Sequence, residues 1–144
     1  MISGIDHIGV VVKDIESVTQ RLSGLYGIEK PSVKFVESRN MKVAVVPFGE
    51  TNIELLEDLN EQSTMPFLDR DCHAGAKGNY IHHYALASTD INGDIAELEE
   101  KGCTRIGDGP KVGLRGCYIQ FFHDTAMDLL VELTEKNENG DDKL

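Results

Sequence analysis

The feature that most constrains this chain is an internal repeat. Ile5, His7, Asp14 and Ile15 recur as Ile81, His83, Asp90 and Ile91, each 76 positions later. Asn52-Ile53-Glu54-Leu55 recurs as Leu130-Val131-Glu132-Leu133 with an offset of 78. Each half therefore carries a His in its first apolar segment and a Glu in its last. A half of this size cannot bury both faces of a sheet alone, so the halves are expected to pack or pair into one curved mixed sheet.

The local patterns fill in each half. Ile5 to Val12 alternates and is β-branched, which predicts a strand. Asp14 stands where an N-cap belongs, Ile15, Val18, Leu22 and Leu25 follow at helical spacing, and Gly27 can end the helix. Pro31 to Glu37, Met41 to Phe48 and Ile53 to Glu57 read as three further strands. A connector follows, in which Ser63 caps a short helix and residues 70–79 form a loop. The order then restarts: a strand from Ile81 to Ser88, a cap at Asp90, and a helix stopped by Gly102. Thr104 to Ile106 is extended, Gly107 to Gly116 reads as a loop, and Tyr118 to Phe122 and Leu129 to Thr134 close the half. The expected class is α+β, as two βαβββ modules related by a pseudo-twofold axis. They form a single domain over residues 1–135, with module one at about 4–58, the connector at about 59–79 and module two at about 80–135. Residues 136–144 read as an acidic flexible tail.

Alternate residues of a strand share a face. Ile5, His7, Gly9 and Val11 lie together, as do Ile81, His83, Ala85 and Ala87. Asn52, Glu54 and Leu56 share a face, and so do Leu130, Glu132 and Thr134. If the first and last strands of each half are neighbours, His7 meets Glu54 and His83 meets Glu132. Two imidazoles and two carboxylates suit a divalent transition metal and leave positions on a six-coordinate ion for substrate. A single His or Glu in such a strand is more often a core or solvent-facing residue; the repeat is what lifts this set of four. His82 sits on the opposite face, matches Asp6 and reads as structural or as a support behind the ligands. Glu57 is opposite to Glu54 and is expected to be solvated. His73 and Cys72 fall in the loop without support as ligands. His123, beside Asp124, and the locally basic Lys111 and Arg115 are candidate substrate contacts.

Composition excludes other classes. The net charge of −11 opposes the Lys/Arg surface that a nucleic-acid duplex demands. No apolar run reaches transmembrane length and no signal-peptide pattern opens the chain, so no membrane partner is expected. Three cysteines without CxxC spacing favour free thiols and a cytoplasmic location. No Walker loop, GxGxxG or Ser-His-Asp arrangement is present.

The runs Ile5-Asp6-His7-Ile8-Gly9-Val10, Val43 to Gly49, Thr51 to Glu57, Ile81-His82-His83, Phe122-His123 and Leu130 to Leu133 resemble the vicinal oxygen chelate (glyoxalase/bleomycin resistance/dioxygenase) superfamily. Within it they are most similar to methylmalonyl-CoA epimerases. The resemblance spans nearly the whole chain to Thr134. It implies a divalent ion (Co, Zn, Ni or Mn) on His7, His83 and Glu132, with Glu54 at the remaining ligand position. It departs from the family pattern at Arg21 and Leu22, where relatives carry an aromatic pair, and at residues 123–128, which lack a Lys.

The implied reaction moves the α-proton of a methylmalonyl-CoA-like thioester through a metal-stabilised enolate. Glu132 and Glu54 would serve as bases on opposite faces, with Glu132 the principal one. A homodimer is expected. The alternatives are a lactoylglutathione lyase (glyoxalase I) acting on a glutathione hemithioacetal, a non-catalytic ligand-binding protein of the same fold, and an extradiol dioxygenase.

Overall fold

The computed structural model describes residues 1–61 and 79–137. The expected helix from Ser63, the loop containing Cys72 and His73, and most of the acidic tail lie outside the described residues. Among the described residues, eight strands and two α-helices follow in the order β1 (Ile2–Val11), α1 (Ile15–Tyr26), β2 (Lys34–Val36), β3 (Met41–Phe48), β4 (Thr51–Asp58), β5 (Tyr80–Ser88), α2 (Ile91–Glu100), β6 (Thr104–Val112), β7 (Tyr118–Asp124) and β8 (Leu129–Glu135). The class is α+β, and strand-helix-strand-strand-strand occurs twice.

The capping residues set the helix starts. The Asp14 carboxylate accepts the Ser17 N–H at 3.1 Å, and that of Asp90 accepts the Gly93 N–H at 3.1 Å. Each satisfies one of the orphan donors that open a helix. Gly27 ends α1 in the left-handed region at φ 63°, its N–H bonded to the Ser23 carbonyl, a conformation that costs a glycine little.

The chain divides into two compact units, with β1 contributing to both. One unit is Gly9–His82. In it β3 lies between β2 and β4, antiparallel to each, and the end of β1 is tied to β4 by the Val12 N–H bond to the Leu56 carbonyl. Val12, Ile15, Ala44, Val46 and Leu55 make its core, with Val18 and Leu22 of α1 against them. The expected strand at residues 31–37 contracts to β2, because Glu37–Arg39 turns as a short 3-10 helix that ends on Asn40 at φ 48°. Asn tolerates that left-handed conformation better than other chiral residues. Glu57 is not solvated as expected. Its side chain is 12% exposed and its carboxylate lies 3.8 Å from the ammonium of Lys42, the facing residue of β3.

The other unit is Met1–Ile8 with the chain from His83 onward. Its strands run β1-β5-β8-β7-β6. β8 pairs in parallel with β5 and antiparallel with β7. The core is Ile91 and Ile95 of α2 against Phe122, Val131 and Leu133. Each such fully buried side chain contributes about 1.5–3 kcal/mol over its exposed state.

The glycine-rich stretch from Gly107 is the main departure from expectation in this unit. β6 continues through it to Val112, where a loop was expected. The ladder to β7 jumps from Ile106↔Phe121 to Lys111↔Ile119, so four residues of β6 bulge against Gln120. The buried Gln120 amide donates to the Ile106 and Phe121 carbonyls at 3.0 and 2.9 Å. Gly109 permits the close approach, since a Cβ there would fall 2.2 Å from Gln120 Oε1.

The turn between β7 and β8 is anchored from β5. The Tyr84 hydroxyl donates to Asp124 at 2.5 Å, and the other Asp124 oxygen accepts the N–H groups of Ala126 and Met127. The Tyr84 bond is the largest cause holding the Asp124 carboxyl below its ordinary pKa. A depressed carboxylate pKa stabilises the fold above the unfolded value and loses that contribution as pH falls through the folded one. The thermal midpoint of Tyr84→Phe should therefore lie below that of the wild type near neutral pH. Melts repeated in acid should show the gap narrowing below about pH 4.

Candidate metal centre

Three of the four expected ligands meet within one compact unit. His7 comes from β1, His83 from β5 and Glu132 from β8, and they are 2%, 3% and 5% exposed. Glu132 stands between Ala85 of β5 and Phe121 of β7, so pairing on both sides fixes its height. The two imidazole Nε2 atoms are 3.1 Å apart. Glu132 Oε1 lies 3.6 Å from His7 Nε2, and Oε2 lies 3.7 Å from His83 Nε2. Phe121 packs edge-on against the His83 ring at a centroid distance of 5.3 Å, and the fully buried Ala85 keeps the neighbouring position small.

The tautomer of His7 follows from its other nitrogen. Nδ1 lies 2.8 Å from Asp6 Oδ2. A carboxylate only accepts, so Nδ1 carries the proton and donates it, and Nε2 presents a lone pair toward His83 and Glu132. That hydrogen bond is the largest cause lowering the Asp6 carboxyl pKa, against burial, which raises it; the charge of Arg115 adds to the lowering.

The donor set fits a divalent ion. Lone pairs that converge at 3.1–3.7 Å repel unless they share a proton or a cation. Ligands at about 2.0–2.2 Å from a common ion stand about 3.0–3.5 Å from one another, which is close to the spacing here. Two nitrogens and a carboxylate are the ligand types of zinc and its first-row neighbours.

The remaining expected residues are placed as follows. Glu54 is buried on β4, opposite Val45 of β3, in the other compact unit. His82 is buried on β5. Lys111 is exposed on β6. His123 is half-exposed on β7, with Nε2 2.6 Å from Asp128 Oδ1. Arg115, expected at the surface of a basic loop, is only 7% exposed. Its Nη1 lies 3.7 Å from Asp6 Oδ2 and 3.5 Å from His7 Nδ1. The sequence reading passed over Asp6 as a partner for His7. The available signal was an acidic residue in an apolar strand directly beside a ligand candidate, since a buried carboxylate needs a compensating donor.

Comparison with known proteins identifies relatives of the chain. Over 138 residues the chain is 29% identical to the ethylmalonyl-CoA/methylmalonyl-CoA epimerase of Cereibacter sphaeroides, covering 94% of this chain and 99% of that one. A hypothetical protein from Bacillus halodurans has a solved structure that is 33% identical, with a TM-score of 0.73 over 95% of this chain and 96% of its own. A Streptomyces coelicolor methylmalonyl-CoA epimerase variant, solved in complex with 2-nitronate-propionyl-CoA, is 25% identical with a TM-score of 0.77, covering 96% of this chain and 97% of that one. Residues 6–121 match the model of the Glyoxalase/Bleomycin resistance protein/Dioxygenase superfamily. With most of its length, both helices and His7 and His83 inside that match, the chain belongs to the Glyoxalase/Bleomycin resistance protein/Dioxygenase superfamily.

Proposed function

We propose that this protein is a methylmalonyl-CoA epimerase that holds a divalent transition metal on His7, His83 and Glu132, with Glu54 as the fourth ligand. The observation that carries the reading is the convergence of two imidazole nitrogens and the Glu132 carboxylate at 3.1–3.7 Å. The likeness to epimerases of this superfamily supplies the substrate class: a 2-methyl-branched malonyl thioester of coenzyme A. Support for Glu54 is its place in the sequence repeat, matching Glu132 at an offset of 78.

The bound ion would supply Lewis-acid stabilisation of the negative charge that develops on the thioester oxygen as the α-proton leaves, worth several kcal/mol. The protein residues do the rest. Asp6 holds His7 in the tautomer that ligates, and Phe121 fixes the His83 ring. Glu132 accepts the α-proton on a carboxylate oxygen. Glu54 returns a proton to the opposite face, which inverts the centre. A carboxylate in both roles must keep one oxygen available for the proton. Lys111 and His123 would meet the charged coenzyme A portion, with Asp128 orienting the His123 ring.

A homodimer in the cytoplasm completes the proposal. The exposed Ile2 and Ile5 of β1 support the dimer. The free Cys103 accords with a reducing compartment.

Two substrates given to one metal-loaded sample test the reading. A single epimer of methylmalonyl-CoA should be converted to the mixture, while a glutathione hemithioacetal should be left unchanged. Turnover of the hemithioacetal alone would assign the site to glyoxalase I chemistry. Turnover of neither, with the ion bound, would point to a ligand-binding protein.

A further inference from the structure

Arg115 stands out as a buried cation that the proposed reaction does not use. A buried guanidinium is costly unless it is paired, and the local chain is shaped to bring it inward. Gly113 and Gly116 close a tight turn between β6 and β7, with the Gly116 N–H bonded to the Gly113 carbonyl at 3.1 Å and the Gly113 N–H to the Cys117 carbonyl at 2.9 Å. Gly116 adopts φ 88° there, in the region that favours glycine. The turn directs Arg115 to Asp6, the same carboxylate that receives His7 Nδ1–H.

We infer that Arg115 is a positioning residue for His7, acting through Asp6, and not a substrate contact. The inference rests on the metal-binding reading above. Asp6 Oδ2 accepts the His7 Nδ1–H at 2.8 Å and faces the Arg115 guanidinium at ion-pair distance, with Nη1 3.7 Å away. The 3.5 Å between Arg115 Nη1 and His7 Nδ1 separates two N–H groups that both face Asp6 Oδ2, and neither can accept from the other. Arg115 thus helps to hold the Asp6 carboxylate through the same oxygen that receives His7. A carboxylate held this way keeps the imidazole turned with its Nε2 lone pair toward His83 and Glu132. Partners of this kind orient metal-ligating histidines and raise their basicity. The arrangement also joins the β6–β7 turn mechanically to the ligand on β1.

Titration of the metal-free protein with Co2+, followed by the cobalt absorption bands, tests this without reference to turnover. Arg115→Met and Asp6→Asn should each weaken Co2+ binding about 10–100-fold and shift the bands. The double variant should bind within about twofold of Asp6→Asn alone, because Arg115 acts only through Asp6. Unchanged affinity in Arg115→Met, or a double variant whose loss is the product of the two single losses, would overturn the inference. Should Arg115→Met not fold, Arg115→Lys keeps the charge and carries the test. It should lose no more affinity than Asp6→Asn, and a larger loss would overturn the relay. The wild-type titration reports separately on the metal site itself, and α-proton exchange by the wild type reports on the epimerase reading.

Discussion

His83→Ala should lose its metal and its activity together. The substitution removes one of the convergent nitrogens and leaves His7 and Glu132 facing a gap. Replacing a residue that merely orients a ligand costs about 10–100-fold in affinity, so loss of a ligand should exceed about 100-fold. The Lewis-acid contribution of several kcal/mol would go with the ion, which corresponds to a rate loss of at least about 1000-fold. His82→Ala is the matched control. His82 is also buried and is the adjacent residue on β5, yet strand alternation turns it to the opposite face. It should keep full metal stoichiometry, whatever its cost in stability. Metal content by elemental analysis on both purified variants decides the point; retention of the ion by His83→Ala would remove that residue from the site.

Glu132→Gln should separate what His83→Ala loses together. Gln preserves the shape of the side chain and one ligating oxygen, but its amide cannot take a proton at neutral pH. General-base removal costs about 100- to 10,000-fold, so proton transfer should fall by about 1000-fold while a weakened metal site remains. The measurement is the rate of α-proton exchange set against Co2+ affinity in the same preparation. Parallel loss of both would make Glu132 a ligand only and move the base elsewhere.

Both variants are chosen from a site whose logic was legible in the sequence because it depends on periodicity and repetition. A two-residue alternation in β5 distinguishes His83 from His82 without coordinates, and the 76-residue offset pairs it with His7. The helix bounds were legible for the same reason: Asp14, Asp90 and Gly27 act on backbone within a turn of themselves. What the sequence hid depends on distant contacts. The bulge at residues 107–110 looks like any glycine-rich loop until the Gln120 amide reaches across from β7. Glu57 reads as solvated until β3 brings Lys42 opposite it. Arg115 reads as surface charge until the turn at Gly116 delivers it to Asp6, a residue 109 positions away.

The most direct test of the account is hydrogen exchange at the substrate's α-carbon. The metal-loaded protein is incubated with methylmalonyl-CoA in deuterium oxide, with and without a chelator, and the label is read by mass spectrometry. The account predicts rapid uptake of one deuteron at that carbon, abolished by the chelator and restored by returning a divalent transition metal. No uptake by the metal-loaded protein, or uptake indifferent to the chelator, would contradict it.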